Sequence, residues 1–228
     1  MAAMALILNL ETATTNCSVS LSNGDGIIVL KENNASSYSH SEQLHVFIEE
    51  VMKEASFSFS DIDAVAISKG PGSYTGLRIG VSAAKGLCFS LDVPLISVPT
   101  LQSMAFQLDI NDDEVIIPVL DARRMEVYSA VYNSNHIKIR ETKAEIVNEN
   151  SFAEYAIKTK AHIVGSGAEK CKEFLKHPNF NFNTVIVPSS KEMALISYKK
   201  FQKGLFEDVA YFEPYYLKDF ILQNKKTN

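Results

Sequence analysis

The chain has 228 residues, 46% of them hydrophobic and 21% charged, with a formal net charge of −5. Such a balance suits a globular protein with one large core or two small ones, and an acidic chain lacks the basic surface that binding nucleic acid unaided requires. No apolar run nears the roughly 20 residues that cross a bilayer, and the opening "MAAMALILNL" lacks the basic start of a secretory signal. Met4 is a second candidate start. Cys17, Cys88 and Cys171 are too scattered for a disulfide framework or a CxxC pair, which points to a reducing cytoplasm.

Apolar patterning predicts strands at 5–10, 17–22 and 26–32, a helix at 40–55, a strand at 63–68, a helix at 76–91, a strand at 94–98 and a helix at 100–108. The polar "DINDDE" at 109–114 reads as a linker. Strands follow at 115–120, 125–132 and 136–141, then a helix at 150–159 and a strand at 162–165. A helix at 168–176, a strand at 184–187 and a helix at 190–203 close the series. The basic "QNKKTN" reads as a frayed end.

The chain repeats itself. Displaced by 110 residues, Leu10-Glu11 falls on Leu120-Asp121, Leu21 on Val131 and "SNGD" on "YNSN". Each copy is a strand ending in a carboxylate, a turn, a second strand, an Asn-containing hairpin and a third strand. Two α/β halves are therefore expected, residues 1–109 and 110–228, each opening with a three-strand meander.

The stretch "GPGSYTGLRIG" at 70–80 carries four glycines between a buried strand and a helix. Its G-x-G-x-x-x-G spacing matches neither the dinucleotide fingerprint nor a P-loop. Within the helix, Gly76, Gly80 and Ala84 share one face, with Ala83 and Gly86 beside it. Small residues at helical spacing admit a close neighbour, within this chain or from another protein. Pro71 disfavours helix at Gly70 and stiffens the approach.

Helix 40–55 is the clearest in the chain. Ser39 and Glu42 form a capping box, and Leu44, Phe47, Ile48, Val51, Met52 and Ala55 make one apolar stripe. A stripe of this kind ordinarily covers its own sheet. His40 and His45 are five residues apart, about 140° around the helix, so they do not make the H-x-x-x-H pair that binds a metal from one face. His136, His162 and His177 join no set, and no metal site is expected.

Duplicated halves of this design resemble the actin, Hsp70 and hexokinase superfamily, which shares the ribonuclease H-like fold. The resemblance implies a cleft gripping nucleotide phosphates, with Glu11 and Thr12 at one strand end. It also implies an adenosine-side turn at Gly165 and Gly167 in "VGSGAEK", although a plain strand-to-helix connection is the commoner reading of such a turn. The second half is expected to be the reduced one.

The segments "LNLETATTNCSVSL", "YSHSEQLHVFIEEVM", "ISKGPGSYTGLRIGVSAAKGL", "DARRMEVYSAVY" and "EPYYLKDF" together resemble the bacterial TsaB (YeaZ) family, in order along nearly the whole chain. The resemblance implies an accessory, non-enzymatic subunit that supports TsaD, a relative of the M22 glycoproteases. TsaD forms N6-threonylcarbamoyladenosine next to the anticodon of tRNAs reading ANN codons. It also implies a TsaD heterodimer through helices 40–55 and 76–91, here His40, Leu44, Phe47, Ile48 and Val51 with Gly76, Leu77, Gly80, Val81 and Ala84. On that assignment a glutamate at Leu77 or Val81 breaks the docking. TsaE and, through the complex, tRNA are further implied partners, and the isolated chain is expected to self-associate through the same face. No cofactor is required of this chain, although a weak or shared ATP/ADP site in the complex fits the resemblance. A metal-dependent hydrolase of the glycoprotease type is the alternative.

Overall fold

The computed structural model describes residues 4–34 and 40–218. The first half contains β1 (Leu6–Glu11), β2 (Asn16–Asn23), β3 (Gly26–Asn34), α1 (His40–Ala55), β4 (Ala64–Gly70), α2 (Tyr74–Leu91), β5 (Leu95–Pro99) and α3 (Thr100–Ala105). The second contains β6 (Val115–Asp121), β7 (Glu126–Asn133), β8 (Lys138–Ile146), α4 (Ala153–Ala156), β9 (Ala161–Val164), α5 (Ala168–Phe174), β10 (Phe180–Asn183) and α6 (Ser190–Gln202). Ser39 of the expected capping box and the "QNKKTN" end lie outside the described residues.

The first sheet runs β3-β2-β1-β4-β5 and the second, read in the same sense, β8-β7-β6-β9-β10. In both, the meander is antiparallel and the two added strands are parallel. The internal repeat is thus a repeat of topology, the duplicated actin-like α/β fold. Pairing slips slightly between copies: Leu10 faces Val19, whereas Leu120 faces Tyr128, one position short of the strict 110-residue offset.

Helices α1 and α2 cover one face of the first sheet. Leu44, Ile48 and Val51 from α1 meet Leu8, Leu10, Val19 and Ile67 there, with Val81 and Ala84 from α2. Ser73 caps α2, its hydroxyl accepting from the Gly76 N–H at 3.3 Å, which starts the helix two residues before the sequence expectation. In the second half the corresponding layer is thin. There α4 is a single turn of 4 residues and α5 has 7, against 16 and 18 in α1 and α2.

Two helices cross between the halves. Leu101, Met104 and Ala105 of α3 pack on Ile116, Leu120 and Ala130 of the second sheet. Met193 and Ile196 of α6 pack on Ile7, Ala66, Ile96 and Val98 of the first. The second lobe's sheet spans 115–183, while α6 and the segment after it lie against the first lobe.

The α6 contact includes a polar seam. Ser18 and Ser190 hydroxyls lie 2.7 Å apart, Ser20 Oγ donates to Ser190 O at 2.9 Å, and Ser197 Oγ donates to Asn9 Oδ1 at 2.7 Å. All are buried, so truncation leaves a partner unsatisfied. Ser197→Ala is expected to lower stability by about 1–2 kcal/mol, measured as a shift in the urea midpoint at unchanged slope.

Two expected elements shift. The apolar "TVIV" at 184–187 is not a strand. Phe180–Asn183 pairs with β9 instead, burying Phe180, and Val185 stands exposed beyond the sheet. The helix expected at 150–159 contracts to one turn because Phe152 adopts a left-handed backbone (φ 62°) that turns its ring into the core, 4.9 Å from the Arg140 guanidinium.

Candidate functional site

A cleft of about 770 Å³ opens between the lobes. The β1–β2 turn (Ala13, Thr14, Thr15) and the glycine loop into α2 (Pro71–Gly76) form one wall. The end of β6 (Leu120–Arg123), with Tyr128 and Ser166, forms the other, and Tyr215–Lys218 lies at the mouth.

The two strand-end acids stand at equivalent places in different surroundings. Glu11 is 0% exposed. One oxygen accepts from the Ala13 N–H at 2.6 Å and from Ser68 Oγ at 2.8 Å, while Oε2 has no hydrogen-bond partner among the described residues. Burial outweighs those bonds and pushes its pKa up to about 7. Asp121 instead lines the cleft, paired with Lys170 Nζ at 2.7 Å and accepting from the Arg123 N–H at 2.6 Å. Glu11 is sealed beneath the floor, so it reaches no ligand in the cleft without rearrangement.

The other sequence candidates for nucleotide contact also turn inward. Thr12 is buried, its Oγ1 directed at Gly80, where a Cβ would stand 2.2 Å away. The N–H of Gly165 donates to Asn183 O at 2.9 Å and that of Gly167 to Val119 O at 3.1 Å. Gly165 (φ +115°) is required because a Cβ would meet Met104 and Val119 O at 2.3 and 2.4 Å. These glycines serve strand-to-helix packing. Ser166, between them, is the residue that reaches the cleft.

The docking residues expected on α1 and α2 turn inward. Leu44, Ile48, Val51, Leu77, Val81 and Ala84 are buried, and Phe47 packs at the margin of the same core. Gly76 and Gly80 are small because the Thr12 backbone and side chain press on α2, so the facing neighbour is this chain's own β1 end. His40 is 2% exposed with Nε2 2.6 Å from Thr14 O, whereas His45 faces out. These residues line the molecule's own core rather than its surface, because one apolar stripe per helix is consumed by the sheet beneath it.

A second face lies outside. Ser41 and His45 of α1 with Arg78, Ile79, Ser82, Ala83, Gly86 and Leu87 of α2 line an open groove of about 640 Å³. Among the described residues nothing stands within 4 Å of a Cβ built on Gly86. Val46 is exposed on α1, and Phe89, 86% exposed, ends the outer row of α2. Ala83 and Gly86, beside the glycine row in the sequence, were the signal for this face. Among the described residues no group of three or more His, Cys, Asp or Glu side chains is placed to hold a metal, and no helix is long and apolar enough to cross a membrane.

Two equivalent sheets around a cleft, with a full helical layer on one and a remnant on the other, define a two-lobed actin-like protein with a reduced second lobe. Within that class, the family model described as "TsaD: tRNA N6-adenosine threonylcarbamoyltransferase" matches residues 33–225. The Escherichia coli (strain K12) tRNA threonylcarbamoyladenosine biosynthesis protein TsaB is 31% identical over 229 residues, covering 96% of this chain and 97% of that protein. This chain belongs to the TsaB family. A tRNA N6-adenosine threonylcarbamoyltransferase from Bacillus thuringiensis (strain Al Hakam) is 49% identical over 59 residues, 26% of this chain and 17% of that protein. The fold matches a crystal structure of a Pseudomonas aeruginosa protein described as similar to peptidase YeaZ. Its TM-score is 0.82 at 23% identity, covering 94% of this chain and all of that one.

Proposed function

We propose that the chain acts in tRNA threonylcarbamoyladenosine biosynthesis as a non-catalytic partner of TsaD, docking through the outer faces of α1 and α2. The observation that carries this reading is the groove lined by Ser82, Ala83, Gly86 and Leu87, on helices that also carry exposed Val46 and Phe89. Small residues let a partner helix approach closely, and the apolar neighbours supply area to bury. TsaE and tRNA join through the TsaD complex. Any ATP or ADP in the cleft is weak or shared, since the residues nearest the superfamily's phosphate and adenosine positions are engaged internally.

The buried set cannot test this. A glutamate at Leu77 or Val81 places a charge in the first core and unfolds the lobe rather than interrogating a surface. Gly86→Trp is the suitable variant, because open space surrounds that position. It is expected to leave the thermal midpoint within a few degrees and to weaken TsaD binding at least tenfold by calorimetry. Unchanged affinity would place the docking surface elsewhere. Omitting each subunit in turn from a tRNA modification assay separates a partner from a bystander.

A further inference from the structure

The "EPYYLKDF" stretch has no part in the docking reading, yet its described portion is tied to both lobes. Behind α6 the chain returns along the first lobe. The Glu207 N–H donates to Leu95 O at 2.8 Å, and its carboxylate accepts from the Ser97 hydroxyl. Val209 and Phe212 pack at the margin of the first core, and Lys85 Nζ donates to the carbonyls of Ala210 and Phe212 at 3.0 and 3.1 Å. The Tyr215 N–H donates to Lys69 O at 2.7 Å. Its own carbonyl seats against Gly70 (φ +105°), 3.0 Å from where a Cβ would be.

To this point the segment belongs to the first lobe. Tyr216 still rests on that lobe, and Lys218 reaches beyond it. The Tyr216 ring lies 4.9 Å from that of Tyr74 at the start of α2, and Lys218 Nζ pairs with the Glu126 carboxylate at the start of β7, in the second lobe. Tyr215–Lys218 all line the mouth of the cleft. The chain passes between lobes at 106–114 and at 184–189, so this is a further crossing, made by side chains alone.

We propose that Tyr216–Lys218 is a latch that holds the two lobes closed over the cleft, with Tyr74 and Glu126 as its catches. The Lys218–Glu126 pair keeps partial solvent access on both sides, 36% and 27% of the side chains. A partly exposed ion pair of this kind biases a two-state equilibrium by roughly two- to fivefold. That is enough to set the resting state and weak enough to be released by a ligand or partner that competes for either catch.

The test is the distribution of lobe-to-lobe distances in the full chain. Nitroxide labels at Lys53→Cys and Lys158→Cys, exposed positions on α1 and just beyond α4, report it by double electron–electron resonance. The native cysteines are buried, with thiols pushed up to about 11 (Cys17, Cys88) and about 12 (Cys171), and take no label. Lys218→Glu is expected to raise the long-distance population by about two- to fivefold. About 1 M salt should do the same to the parent chain, whose ion pair it screens, and Glu126→Lys combined with Lys218→Glu should restore the short distances. A Lys218→Glu distribution identical to that of the parent overturns the latch. So does a double variant that stays as open as the single one, since the charge swap keeps the pair and changes only its polarity.

Discussion

Replacing Glu11 with glutamine is expected to make the protein more stable at alkaline pH while changing little in mild acid. The folded carboxyl titrates near 7 against an ordinary 4.5, because burial disfavours the anion more than the Ala13, Ser68 and Thr12 hydrogen bonds favour it. Between those two values the folded state keeps a proton that the unfolded chain has released. Stability contributed by this group is therefore whole below pH 4.5, falls as pH rises, and levels off above 7. A difference of this size corresponds to about 3 kcal/mol. Glutamine retains an oxygen to accept from the Ala13 N–H and Ser68 Oγ and never ionises. The gap between variant and parent should widen by about 2–3 kcal/mol from pH 5 to pH 8, read from urea midpoints. Parallel pH profiles would show that Glu11 does not titrate in this range.

Gly76→Ala is expected to destabilise the first lobe, while Gly86→Ala, ten residues along the same helix, should stabilise it. Alanine is the better helix former by about 0.5–1 kcal/mol, so intrinsic propensity predicts a gain at both. At Gly76 the added methyl would stand 2.2 Å from the Thr12 carbonyl oxygen and 3.2 Å from the His40 ring. The carbonyl is backbone and cannot swing aside, so α2 must lift from β1, and overpacking of this sort costs about 1–3 kcal/mol or more. At Gly86 nothing lies within 4 Å and the propensity term stands alone. Opposite signs in thermal midpoint separate a glycine needed for contact from one that merely leaves a surface open. A gain at both positions would mean that α2 does not press on Thr12.

Much of the architecture was legible in the sequence because it rests on periodicity. The 110-residue echo located β6 and β7 within a residue, since Leu10-Glu11 and Leu120-Asp121 close equivalent strands. The stripe of α1 was equally plain. What failed was deciding which way a stripe faces. Leu44, Ile48 and Val51 carry the same pattern whether they cover a sheet or a partner, and burial settles them on the sheet. Gly80 shows the same limit, because its reason for being small is the Thr12 hydroxyl, brought close by the pairing of β1 with β4 rather than by anything near position 80. The candidate site was legible only in outline. Glu11 and Asp121 were found as a pair, but the burial of one and the exposure of the other depend on packing that no local pattern encodes. Residues 184–187 misled because β propensity ranks side chains and not pairing partners: the four residues of β9 were already matched by Phe180–Asn183.

The exchange of helices between halves constrains the order in which the molecule can be assembled on the ribosome. Ile7, Ala66, Ile96 and Val98 present an apolar rear face that Met193 and Ile196 of α6 cover together with Phe106, and α6 follows the whole second sheet in the chain. A nascent first lobe therefore keeps part of that face uncovered until residues 190–202 have followed the second sheet. Separate modules would have no such delay; with each half lending the other a helix, cutting the chain between the lobes would bare apolar surface on both.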